Sequence, residues 1–133
     1  MKKIIIVTFL LLTFLTANVE IVSSKSCKVE SLSKSDIKKL FMLKRKSIAN
    51  EKIVVLDSSN KKLYHSFIAD YLNKSVRKIK TYWVRMLFTG KKIPPKKLSL
   101  VELHNLEDEE TCHISYVARE RDMPINWKII HVK

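Results

Sequence analysis

The chain has 133 residues, with 26 Lys+Arg against 13 Asp+Glu and a formal net charge of +13. That length supports one hydrophobic core, and 46% apolar residues with one Gly and three Pro exclude a disordered, collagen-like or low-complexity chain. Two cysteines are too few for a disulfide-dense mini-scaffold or a four-cysteine zinc site, which leaves a small basic globular domain.

Lys2 and Lys3 precede an apolar run from Ile4 to Leu15. The run is shorter than the roughly 20 residues a bilayer span needs. Residues 1–17 therefore read as a cleaved export signal and residues 18–133 as a single domain, with an uncleaved N-terminal anchor as the competing reading. Cleavage follows Ala17 or, alternatively, Ser24. Loss of the two leader lysines lowers the charge from +13 to +11. Export places Cys27 and Cys112 in an oxidising compartment, where two readings stay open: a disulfide, or two small buried hydrophobes that never meet.

Along the mature chain, Val19 to Val22 alternates and predicts a first strand. Ser33 and Asp36 have capping-box spacing, and Ile37, Leu40 and Phe41 follow at helical intervals, so a helix runs to about Leu43. Lys52 to Leu56 has the length and composition of a strand buried on both faces. Asp57-Ser58-Ser59-Asn60 ends it and offers caps for a helix carrying Leu63, Phe67, Ile68, Tyr71 and Leu72. Ser75 caps a further helix bearing Val76, Ile79, Trp83, Met86 and Leu87; Gly90 sits just past its end, and Pro94-Pro95 force an extended connection. Ser99 and Glu102 form a second capping box. The tail reads as a strand at Ile114–Val117, a turn at Arg119–Pro124, and a strand from Trp127 to Val132. Strands separated by helices predict an α/β domain, three-layer-like, with a mixed, partly parallel sheet and about four helices.

In this order the segments resemble the phosphate-type ABC-transporter solute-binding proteins, in particular their short stand-alone relatives. Leu32 to Phe41 is similar to the family's "LSxxxLxxIF" helix, and Phe67 to Leu72 to its "FxxxxL" helix. Thr81 to Pro95 is similar to "YWxRxxFTGKGxPP", and Ile114 to Val117 stands where the family has "GAIGYV". The resemblance implies one lobe of a type 2 periplasmic binding protein, a periplasmic location, no enzymatic activity and no cofactor. It also implies a small oxyanion such as phosphate held by hydroxyls and amides at a helix N-terminus, here Ser58, Ser59, Asn60 and Lys61. A transporter or other envelope protein is the implied partner.

Several residues depart from that pattern. The turn after Leu56 lacks glycine, Asp57 repels a phosphate unless it is paired, and Cys112-His113 replace the family's glycines. These departures point to a weakened or repurposed pocket, with helix capping as the plain alternative for the serines. The alternative function is a ligand-free interaction module that docks on an envelope partner through its basic surface or a sheet edge. The four histidines lack metal-ligand spacing, and adjacent Cys112 and His113 point to opposite faces of a strand, so neither a metal site nor a Cys–His nucleophile is expected. Tyr82, Trp83 and Phe88 fit a helix core better than a nucleic-acid platform; the scattered lysines make a basic surface whose adhesion to anionic lipid is weak and salt-sensitive.

Overall fold

Three serines start three helices, because a serine hydroxyl can accept a hydrogen bond from an amide that has no acceptor inside the helix. In the computed structural model, which describes residues 19–133, Ser33 and Asp36 close a capping box on α1 (Lys34–Phe41). Ser75 Oγ accepts from Lys78 N to start α3 (Val76–Phe88), and Ser99 and Glu102 box α4 (Leu100–His104). The fourth helix, α2 (Lys61–Phe67), is capped by Asn60, whose Oδ1 accepts from Leu63 N. It runs into a π-helical turn, Ile68–Leu72, which stops where Asn73 turns left-handed at φ 49°. Gly90 closes α3 at φ +67°, a backbone conformation that glycine adopts without penalty.

Eight strands complete the domain: β1 (Glu20–Ser24), β2 (Ser31–Leu32), β3 (Ser47–Ile48), β4 (Glu51–Ser58), β5 (Lys96–Leu98), β6 (Cys112–Val117), β7 (Trp127–Ile129) and β8 (His131–Val132). The main sheet runs β3-β4-β6-β1-β7, with β5 also paired to β4. β4 is parallel to both β5 and β6, whereas β1 is antiparallel to β6 and β7. β2 and β8 form a separate parallel pair. The described residues thus form a mixed α/β domain with a mixed sheet and four α-helices, as the sequence predicts. The export signal expected over residues 1–17 lies outside the described residues.

Strand parity divides the core. Ile21, Ile53, Val55, Ile114 and Tyr116 share one cluster with Phe41 of α1, Phe67 of α2 and Ile79 and Trp83 of α3. Val22, Leu56 and Val117 point to the other face and pack with Leu98 and Leu103 around α4. Helical cover is therefore thick on one face and thin on the other.

Three details differ from the sequence reading. Phe88, expected in the helix core with Tyr82 and Trp83, is on the outer side of α3 and 93% exposed, because Ile79 and Trp83 define the inner face. The strand expected from Trp127 to Val132 is broken at Ile130. Ile130 N donates to Ile21 O and His131 N to Glu30 O, so the chain leaves β1 for β2 and the residues divide between two sheets. The Pro94-Pro95 connection continues into β5, a strand hidden in the sequence by its Lys-Lys-Leu composition.

The two cysteines are joined. Cys27 lies in the turn after β1 and Cys112 opens β6, and a disulfide links them across a sequence separation of 85. Ser24 Oγ accepts from His113 N, so the end of β1 and the start of β6 are held together by a hydrogen bond beside the covalent one.

Candidate functional site

The three parallel strands β4, β5 and β6 end side by side at Ser58, Leu98 and Val117. In open α/β sheets the space beyond the carboxyl ends of such strands is where ligands sit. Here that space is a crevice of about 910 Å³, with Asp57, Ser58, Tyr116 and Val117 at the strand ends, Ser59, Asn60 and Lys62 at the start of α2, and Ser99 at the start of α4. Arg119 and Asp122 border it from the turn after β6.

At its base is a chain of hydrogen bonds. The Tyr116 hydroxyl donates to Asp57 Oδ1 at 2.8 Å and accepts from Ser58 N at 3.0 Å. Ser58 Oγ accepts from Asn60 N, and Ser115 Oγ donates to Leu56 O. Asp57 Oδ2 takes no hydrogen bond among the described residues, although Asp57 is only 7% exposed. Burial pushes the Asp57 carboxyl up to about 6, against the weaker pull of the Tyr116 hydroxyl and the charge of Lys97. Burial, together with the nearby Asp57 charge, raises the Tyr116 phenol as well. Lys97 itself lies over the Tyr64 ring, 4.1 Å from its centroid.

The four residues singled out from the sequence have different fates. Ser58 and Ser59 line the crevice, but Ser58 N is already bonded to Tyr116 and Ser59 N to Leu98 O. Asn60 borders the crevice while its carbonyl oxygen caps α2. Lys61 is exposed and does not line the crevice; the neighbouring Lys62 does. α2 is seven residues long, so its dipole is small and recognition in the crevice falls to side chains. Asp57 and Tyr116 form the pair that the sequence reading did not select. Strand parity was the available signal: Asp57 continues the Ile53, Val55 series toward the core, and Tyr116 continues Cys112 and Ile114.

Elsewhere, His113 is buried with Nδ1 unpartnered, and burial lowers its pKa despite the opposing pull of Asp108. Its neighbour Cys112 is in the disulfide and has no thiol to offer as a nucleophile. Among the described residues, no three His, Cys, Asp or Glu side chains gather as a metal ion would need.

An acid whose pKa rises on folding holds its proton more tightly in the folded chain than in the unfolded one. The stability it confers is complete below the unfolded value of 3.8 and is lost as pH rises through about 6. Ionised Asp57 thus costs the fold about 1–3 kcal/mol near neutral pH. Asp57→Asn keeps an acceptor for the Tyr116 hydroxyl and carries no charge. It is expected to be more stable than the native chain by about 1–3 kcal/mol near neutral pH, with the gain vanishing at about pH 4. Urea unfolding across that range measures it; identical pH profiles for the two chains would contradict a carboxyl that ionises in a buried place.

Comparison with family models, with curated proteins and with solved structures finds no match for this chain.

Proposed function

We propose that the chain is an exported solute-binding domain, of the periplasmic-binding type its sequence resembles, and that its ligand occupies the crevice at the ends of β4, β5 and β6. The observation that carries this reading is the Asp57 carboxyl: buried at the strand ends and bonded through one oxygen only. Such a group calls for a ligand that brings a hydrogen to it. The serine hydroxyls and the Lys62 and Arg119 cations around the same crevice offer donors to the acceptor atoms of an anion, set against the carboxylates of Glu20 and Asp122 on the same lining. A small protonated oxyanion, with hydrogen phosphate as the leading case, offers both. Sulfate, which has no proton at neutral pH, sets a bare anion against Asp57. The positive field of the chain raises the local concentration of either anion.

Export is supported by the Lys2-Lys3 and apolar pattern of the leader, and by a disulfide of a kind that persists in oxidising compartments. The alternative of docking through a sheet edge has little backbone to work with, because β3 and β7 are two and three residues long.

Calorimetric titration with phosphate, sulfate and molybdate is the test. Phosphate is expected to give saturable heat that weakens at least several-fold in the Ser58→Ala, Ser59→Ala double variant, with sulfate giving little. Folded protein that gives no heat with any of the three at millimolar concentration would remove the anion-binding reading.

A further inference from the structure

We propose that the exposed face of α3 docks on an anionic lipid bilayer. α3 buries Ile79 and Trp83 on its inner side, yet Val84, Leu87 and Phe88 recur on its outer side at i, i+3, i+4. They are 56%, 52% and 93% exposed, so this helix carries a second apolar stripe with nothing against it. Arg77, Lys80 and Arg85 flank the stripe, and Lys91, Lys92 and the exposed Ile93 follow within one turn of Gly90. From Lys74 to Lys97 the chain has nine basic side chains and no acidic one. The ion pair found among the described residues, Arg45 with Asp36, is on α1 and the loop after it, so it does not neutralise this face.

The partner must satisfy both halves of that pattern. A second copy of the chain would bring cations against cations. A nucleic-acid duplex would answer the charges and leave Phe88 in water, and a single strand could stack a base on Phe88 but would leave the aliphatic Val84 and Leu87 uncovered. An anionic bilayer answers both, in the right order of depth: headgroup phosphates meet the long basic side chains, and the acyl boundary receives the apolar tips. Phe88 stands clear of the surface, and a bilayer admits a protruding ring without a preformed socket. Among the described residues no helix is long and apolar enough to cross a membrane, so α3 would lie in the plane of the interface.

Co-sedimentation of the mature chain, residues 18–133, with phosphatidylglycerol/phosphatidylcholine vesicles tests the surface, with pure phosphatidylcholine vesicles as the comparison. Binding to the anionic vesicles is expected to weaken about fivefold for each of Arg77→Gln and Arg85→Gln, and to fall with salt. Phe88→Ser is expected to weaken it roughly tenfold. Each replaced side chain is exposed, so folding is preserved and circular dichroism verifies it. Phe88→Trp reports on the site itself: its emission should shift to the blue and be quenched by brominated acyl chains in anionic vesicles only. Equal binding to neutral vesicles, full binding by Phe88→Ser, or an unshifted Phe88→Trp emission on anionic vesicles would each overturn the proposal. So would a Phe88→Trp emission that shifts with polyglutamate and not with vesicles, which would assign the face to an acidic protein.

Discussion

Replacing Cys27 and Cys112 together by alanine is expected to lower the free energy of unfolding by about 4 kcal/mol, the loop-closure entropy released when a cross-link of this span is removed. The bond closes a sequence separation of 85 residues, which takes in the parallel strands β4 and β5 and all four α-helices of the described residues and ends at the first residue of β6. Its loss acts chiefly on the unfolded chain. In the folded chain the same junction stays held by Ser24 Oγ, which accepts from His113 N and donates to Thr111 O. Small-domain stability is of order 5–15 kcal/mol, so the loss is a large fraction of the total and corresponds to roughly 15 °C in midpoint. Denaturant and thermal unfolding of the oxidised chain, the reduced chain and the double variant measure it. The reduced chain and the double variant should agree to within about 1–2 kcal/mol, because alanine removes one sulfur atom from each buried site and leaves only small voids. A difference below about 1 kcal/mol between oxidised and reduced chains would mean that the bond contributes nothing to the fold in solution. A loss of the expected size would make the stability of the fold depend on oxidising surroundings.

The local chemistry of the chain was the legible part of the fold. Capping at Ser33, Ser75 and Ser99, the stop at Gly90, and the strands around Ile53–Leu56 and Ile114–Val117 each depend on residues within one or two turns of one another. What depended on register was not legible. Whether Cys27 reaches Cys112 is decided by the antiparallel pairing that sets Ser23 opposite Ile114, and no local pattern encodes that pairing. The break of the last strand at Ile130 likewise follows from where Ile21 and Glu30 present their carbonyls. At the crevice, the polar run after Leu56 was visible as a strand end with capping residues. The burial of Asp57 was not, since it needs Tyr116 from a strand 59 positions away. Asn60 rather than a serine became the cap because Ser58 is still in β4, with its amide taken by Tyr116.

The ring of Phe67 is the joint between core and crevice, and Phe67→Ala is expected to cost about 3–5 kcal/mol, the range for emptying a fully buried aromatic site. Phe67 has no exposed surface and lies parallel to Tyr116, with centroids 3.9 Å apart and planes 7° from parallel; Phe41 packs against it at 4.6 Å. Three elements therefore lose contact at once when the ring is removed: α1, the end of α2 and β6. The consequence extends past stability. The Tyr116 hydroxyl reaches Asp57 and Ser58 N only while its ring is held flat against Phe67, so a cavity there lets the phenol tilt and leaves a buried carboxyl and a buried amide short of a partner. Phe67→Leu refills most of the volume and is expected to lose only about 1–2 kcal/mol, and it keeps a wall behind Tyr116. Unfolding of the two variants measures the first effect. Phosphate titration under conditions where both remain folded measures the second, with affinity expected to fall further in Phe67→Ala than in Phe67→Leu. Equal phosphate affinity in the two would separate the packing of Tyr116 from the crevice, and a stability loss under about 1 kcal/mol in Phe67→Ala would deny the stack its role in the core.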